Sequence, residues 1–192
     1  MKPLVMHDLT ARVIFQLSWI LWTAAELALA LRTRRGAARD RSYRFAIASM
    51  FVGIGLGFGL ARAGWALLPG SGWWPVAAGL SLFACGFALR AWAVLTLGRF
   101  FSVVVVVLDD HRVVDHGPYR FVRHPSYTGL MLLLTGLGIA LGSWLSVVAC
   151  TLVPLAALLY RIEVEERALV DELGDAYRVY AHGRRRLVPG VW

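Results

Sequence analysis

No charged side chain occurs between residues 63 and 89, or between residues 125 and 160. A chain of 192 residues that is 58% hydrophobic and only 17% charged has too little polar surface to wrap such runs in a water-soluble core. Apolar stretches approaching about 20 residues are what a bilayer-spanning helix needs. The expected fold is therefore an all-α integral membrane protein of one domain. Its five transmembrane helices fall near residues 9–31, 45–68, 74–97, 126–141 and 144–160. The last two are short enough to form a tilted or partly embedded hairpin.

A net charge of +8 raises the question of nucleic acid, but the basic residues sit mainly at the ends of apolar runs. That distribution belongs to loops facing anionic lipid, so no nucleic-acid partner is expected. Arg32, Arg34, Arg35, Arg39, Arg41 and Arg44 surround the single acid Asp40. This excess puts the loop in the cytoplasm and the N-terminus on the opposite side. Glu26, inside the first run, argues against a cleavable signal peptide; so close to the run's end it can reach the interface. Cys85 and Cys150 lie in apolar runs and are expected to be buried thiols.

Gly53, Gly55, Gly57 and Gly59 superficially suggest a nucleotide loop, which would need a strand before it and a helix start after it. Gly55 and Gly59, four apart, are expected to let membrane helices approach closely. The uncharged stretch of residues 69–75 reads as a turn with interfacial tryptophans. Arg90, inside the third run, either extends along its own stem to the interface or faces a polar cavity. Leu97-Gly98 is a helix-ending pattern. The β-branched residues 103–114 are expected to form a short extended segment at the interface. Beyond Tyr160, Leu169, Leu173, Tyr177 and Tyr180 recur at helical spacing among acids, which predicts an amphipathic C-terminal helix broken near Gly174.

Chemistry-bearing side chains concentrate in residues 111–129, where two prolines and two glycines make turns. With Arg90, Arg99 and residues 161–166 they would share one face, a mixed-charge basin against an apolar floor. That arrangement suits a polar cofactor meeting a lipid-like substrate, with the tail as a cover. His111, His116 and His124 lack the paired spacing of a metal site, so no metal is expected. Ser102, Ser126 and Ser143 do not sit in a nucleophile elbow.

Gly117-Pro118-Tyr119-Arg120-Phe121-Val122-Arg123-His124-Pro125-Ser126-Tyr127-Thr128-Gly129 resembles the signature of the isoprenylcysteine carboxyl methyltransferase family, Gly-x-Tyr-x-x-x-Arg-His-Pro-x-Tyr-x-Gly. Arg161, Glu165 and Glu166 are similar to its Arg-x-x-x-Glu-Glu element, and Leu169, Gly174, Tyr177 and Tyr180 to its later positions. Arg90-x-Trp92 with Leu97-Gly98-Arg99 resembles its helix-end motif. The likeness covers residues 80–192, while residues 1–72 match by hydropathy alone and read as scaffold.

The resemblance implies a membrane methyltransferase that uses S-adenosylmethionine and acts on a lipophilic, prenyl-type substrate, its site facing the cytoplasm from the inner membrane. It assigns cofactor contact to His111, Gly117, Tyr119, Arg123, His124, Tyr127 and Glu166, with Arg90 and Trp92 toward the substrate. Imidazole and guanidinium would hold the cofactor's carboxylate, and aromatic faces its adenine or sulfonium. Arg161 or Arg99 would orient a carboxylate acceptor, which needs no base, whereas an amine or thiol acceptor would call on Glu165. Phospholipid and thiol methyltransferases share the motif. NADPH-dependent sterol reductases carry a similar stretch in much longer chains.

Overall fold

Proline and glycine punctuate the helices. The computed structural model describes residues 3–33, 40–69, 72–102, 113–190 and 192. A single turn, α1 (Leu4–His7), precedes α2 (Leu9–Thr33), whose first turn is held by Asp8 accepting from the Ala11 N–H at 2.8 Å. Asp40 caps α3 (Arg41–Ala63) by accepting from the Tyr43 N–H at 3.0 Å, and Gly64 ends it at φ +72°. In α4 (Trp74–Leu97), Pro75 occupies the first turn, where its missing N–H is harmless, and Gly98 stops the helix at φ +56°. Pro125 likewise opens α5 (Pro125–Ala140). Ser143 caps α6 (Trp144–Leu173), Gly174 ends it at φ +56°, and α7 (Asp175–His182) follows.

Among the described residues, four helices are long and apolar enough to cross a membrane: Leu9–Arg32, Arg41–Ala63, Trp74–Phe100 and Trp144–Leu173. The fifth apolar helix, α5, has only 16 residues. Two expectations change here. The second span begins before residue 45 and stops at Gly64 instead of running to residue 68. The last span does not end near Tyr160; α6 runs 30 residues in all, carried through the internal Pro154 and the charged side chains after Tyr160 to its stop at Gly174.

Close backbone approach organises the bundle. A Cβ on Gly86 of α4 would fall 2.5 Å from the Gly129 carbonyl oxygen of α5, and one on Gly136 would fall 2.5 Å from the Gly79 oxygen. Small residues at these crossings let backbones meet, the main source of helix association in lipid. The α3–α6 crossing uses the same device at Gly53 and Gly57, against Ala149 and Cys150, with Ser146 Oγ donating to the Gly57 carbonyl at 2.7 Å. The expected pair, Gly55 and Gly59, instead meets open space: the spacing was right but the face was wrong. Cys150 is buried, whereas Cys85 is exposed on the outside of α4, contrary to expectation.

Helix α2 is mostly exposed along its length and docks through a few large contacts. Phe15 meets Phe58 edge-on with centroids 5.8 Å apart, and the buried Trp22 meets Phe83 at 6.2 Å. The extended segment expected at residues 103–114 lies largely outside the described residues, as do Arg34, Arg35 and Arg39.

Candidate functional site

Two prolines shape the turn that carries the central motif. Pro118 sits in a 3₁₀ turn, Gly117–Arg120, and Pro125 starts α5, leaving Arg123 and His124 between them. Gly117 has φ +58°, and a Cβ there would come within 2.9 Å of Thr96 Oγ1. Only glycine serves both demands, the left-handed backbone and the close pass over α4.

Glu166 is the counter-charge of this turn. Its carboxylate accepts from Arg123 Nη1 at 2.8 Å and from Arg186 Nε at 3.0 Å, and His124 Nε2 lies 3.1 Å away. The side chain is 11% exposed. The C-terminal segment joins the same knot. The Arg123 and His124 N–H groups donate to the carbonyls of Arg185 and Arg186, and Thr128 Oγ1 to that of Leu187, at 2.8–2.9 Å. The expected covering tail is thus pinned along the motif.

Glu165, the next residue along α6, points elsewhere, since consecutive helical residues are about 100° apart. It accepts from Tyr127 Oη at 2.6 Å, and that oxygen accepts from Arg161 Nε at 2.9 Å. Arg161 Nη1 donates to Ser42 Oγ at 3.0 Å and to Asp40 Oδ2 at 3.3 Å, with the guanidinium over the Tyr43 ring. Arg90 is held similarly. Its Nε and Nη2 both donate to Glu26, the latter at 2.7 Å, and its Nη1 donates to Ser126 Oγ at 2.7 Å. Glu26, expected near the interface, lies instead in this partly buried ion pair, supported by the Trp22 indole N–H at 3.1 Å.

These groups surround a cavity of about 200 Å³ whose lining follows α5 from Ser126 to Leu134 and α6 from Leu173 to Pro154. The turn before α5, the start of α5, the middle of α6 and α7 give it polar and aromatic side chains, Tyr119, Arg123, His124, Tyr127, Glu165, Tyr177 and Tyr180. Further along α5 and toward the start of α6 the lining is apolar, with Leu130, Leu134, Pro154 and Leu158, joined by Met50 of α3. Arg90, bonded to Ser126, and Arg161, bonded to Tyr127, line it too. Among the described residues, Tyr177 Oη and Arg123 Nε are buried without a hydrogen-bond partner. A buried donor left unpaired is costly; Arg184 Nε is a third such atom, and of the three residues Tyr177 and Arg123 line the cavity.

Burial keeps the tyrosines neutral. It pushes Tyr180 up to about 12 and raises Tyr119 and Tyr177 further, the last two also through nearby Glu165. Neutral Tyr180 donates to the Tyr119 carbonyl at 3.0 Å, and neutral Tyr177 keeps its hydroxyl proton.

Of the residues expected at a site, Tyr119, Arg123, His124, Tyr127, Arg161, Glu165 and Arg90 line this one cavity. Glu166 stands behind it and holds Arg123 and His124 in place. Gly117 packs against Thr96 and is not part of the lining. Arg99 lies over the Phe100 ring and Trp92 is half exposed on α4; neither lines the cavity. A position near a helix end does not determine which way its side chain turns. His111 is outside the described residues. Sequence reasoning gave Asp40, Ser42 and Arg186 no part in the site. The one hint was Asp40 as the lone acid among arginines.

The model of the isoprenylcysteine carboxyl methyltransferase (ICMT) family matches residues 79–171. A probable protein-S-isoprenylcysteine O-methyltransferase of Oryza sativa subsp. indica is 37% identical over 111 residues, 57% of this chain and 58% of that protein. Protein-S-isoprenylcysteine O-methyltransferase A of Arabidopsis thaliana is 34% identical over 121 residues, 62% of this chain and 61% of that protein. The chain therefore spans about six tenths of the length of these relatives. Among solved structures, the eukaryotic intramembrane Ras methyltransferase ICMT superposes with a TM-score of 0.56 at 29% identity, covering 78% of this chain and 52% of that one.

Proposed function

We propose that this chain, whose residues 79–171 match the isoprenylcysteine carboxyl methyltransferase family model, is an integral membrane methyltransferase that uses S-adenosylmethionine to esterify the carboxylate of a prenyl-type substrate. The observation that carries this reading is the cavity. Its lining is polar and aromatic around the start of α5 and apolar further along α5 and α6, and Arg90 and Arg161 bond to Ser126 and Tyr127 at that start.

The residues present fit the cofactor. Arg123 Nε and Tyr177 Oη are donors without partners and suit its carboxylate. Glu165 is an acceptor for its ammonium or ribose hydroxyls. Tyr119, His124 and Tyr127 offer ring faces, the last two stacked with centroids 5.6 Å apart. S-adenosylmethionine supplies an electrophilic methyl group on a sulfonium. The protein's contribution is alignment and exclusion of water. A carboxylate acceptor has no proton to lose, so no general base is required. Arg90 and Arg161 would orient it while the prenyl chain lies along the apolar lining. The polar lining faces the cytoplasm in this reading, supported by the arginine excess of residues 32–44 at the same end of α3 as Tyr43.

The test uses the full chain purified in detergent, with methyl-labelled S-adenosylmethionine and N-acetyl-S-farnesylcysteine. Label recovered as a base-labile methyl ester is the expected result, and in membrane vesicles only when the cytoplasmic face is exposed to the cofactor. No binding of S-adenosylmethionine would overturn the reading, and binding without ester would overturn the acceptor. Tyr177→Phe should raise the cofactor's Kd about tenfold, the worth of one buried hydrogen bond, without altering the thermal transition. Calorimetry giving an unchanged Kd would remove Tyr177 from the site.

A further inference from the structure

Two of the three arginines that line the cavity are clamped by a carboxylate from outside the family-matched stretch: Arg90 by Glu26 of α2, and Arg161 by Asp40 at the start of α3. We infer that Glu26 and Asp40 are positioning residues for methyl transfer, fixing the two guanidinium groups that direct the acceptor. The inference rests on the methyltransferase reading and revises the view of residues 1–72 as mere scaffold.

The geometry is specific. Glu26 takes the Nε and Nη2 edge of Arg90 while Ser126 Oγ takes Nη1. Asp40 and Ser42 together take Nη1 of Arg161, whose Nε is committed to Tyr127 Oη. Each guanidinium plane is thereby set from two sides by different helices. Without its clamp, a long arginine stem would turn its head toward water. Stability alone is a poor reason for these pairs, because well-packed apolar side chains usually do as well as a buried ion pair. Ionisable groups kept at membrane depth characteristically serve a site, and Arg90, Arg161 and Glu26 all line this cavity.

In the reaction, a carboxylate oxygen gains the methyl carbon as the carbon–sulfur bond breaks with its electron pair left on sulfur. No proton moves. The arginines therefore contribute only charge and direction, and direction is what the clamps supply.

In the same purified assay, Glu26→Gln and Asp40→Asn should each lower kcat by one to two orders of magnitude, the usual consequence of a misplaced reacting group. The Kd for S-adenosylmethionine should change far less than kcat, because Asp40 holds Nη1 of Arg161 and leaves the Nε bond to Tyr127 in place. Glu26→Asp and Asp40→Glu should recover part of the loss. Ser42→Ala, which removes a single bond to Arg161, should lower kcat about tenfold with the fold intact. Glu163→Gln, in an exposed pair with Arg167, serves as the unaffected control. Wild-type kcat in both charge-neutral variants overturns the inference. So does loss of cofactor binding and thermal transition together in those variants, with full kcat in Ser42→Ala, since the clamps would then be structural only. Absence of methyl ester from the wild-type chain would instead sink the methyltransferase reading itself, and this inference with it.

Discussion

Glu166→Ala is expected to weaken S-adenosylmethionine binding by about 1,000-fold, roughly 4 kcal/mol, while the helices still insert. The carboxylate touches no cavity surface, so the loss is indirect. It accepts from Arg123 and Arg186 and faces His124. Removing it leaves buried positive charge without an opposite, and breaking such a cluster by deleting one partner is among the costliest single changes. Arg123 and His124 would separate, and the tail segment along residues 122–124 would lose its Arg186 anchor. Glu166→Gln keeps the acceptor oxygen and should fall between the two. Calorimetric titration together with the thermal transition is the check, and a cofactor Kd unchanged in Glu166→Ala would refute the assignment.

The second large effect concerns glycines. Gly86→Ala places a methyl group 2.5 Å from the Gly129 carbonyl oxygen and from the Leu133 N. These are backbone atoms of a packed helix, with no rotamer to change, so α4 and α5 must part. A destabilisation of about 3 kcal/mol is expected. Gly129→Ala meets the Arg90 N at 2.7 Å and should also shift the arginine between Glu26 and Ser126; its kcat should fall along with its stability. Gly55→Ala and Gly59→Ala meet nothing within 4 Å and should be neutral or stabilising by up to about 1 kcal/mol, since alanine is the better helix former. Denaturation of the four variants in one detergent separates these cases. Equal stability across them would show that the α4–α5 crossing is not held by backbone contact.

Much of this was legible in the chain itself. Pro75, Pro125, Gly98 and Gly174 sit where helices begin or stop, because their constraints are local and travel with the sequence. The motif around Arg123 and His124 announced the site for the same reason: its residues lie within one turn and one helix start. What could not be read was phase and partnership. Spacing showed that glycines four apart in α3 would matter, but not that Gly53 and Gly57, instead of Gly55 and Gly59, face α6. Glu26 and Arg90 are separated by 64 positions and Asp40 and Arg161 by 121. No local pattern brings such residues together; only helix packing does. The resemblance gave Glu166 cofactor contact and Glu165 the role of a base, but adjacency alone does not set their directions. The helix turned one toward the cavity and the other into the motif.

The shortness of α5 bears on how a water-soluble compound could meet a chain-like lipid. Sixteen residues rise about 24 Å, some 6 Å less than the hydrocarbon of an ordinary bilayer. No residue of α5 is exposed on the outside of the bundle, so its neighbours carry the match to the bilayer and the turn bearing His124 is free to rest beneath the level of the phosphates. In that position the polar lining of the cavity would lie below the membrane surface. An isoprenoid tail could then remain among its neighbours while its polar head is modified, with no need to be lifted out into water.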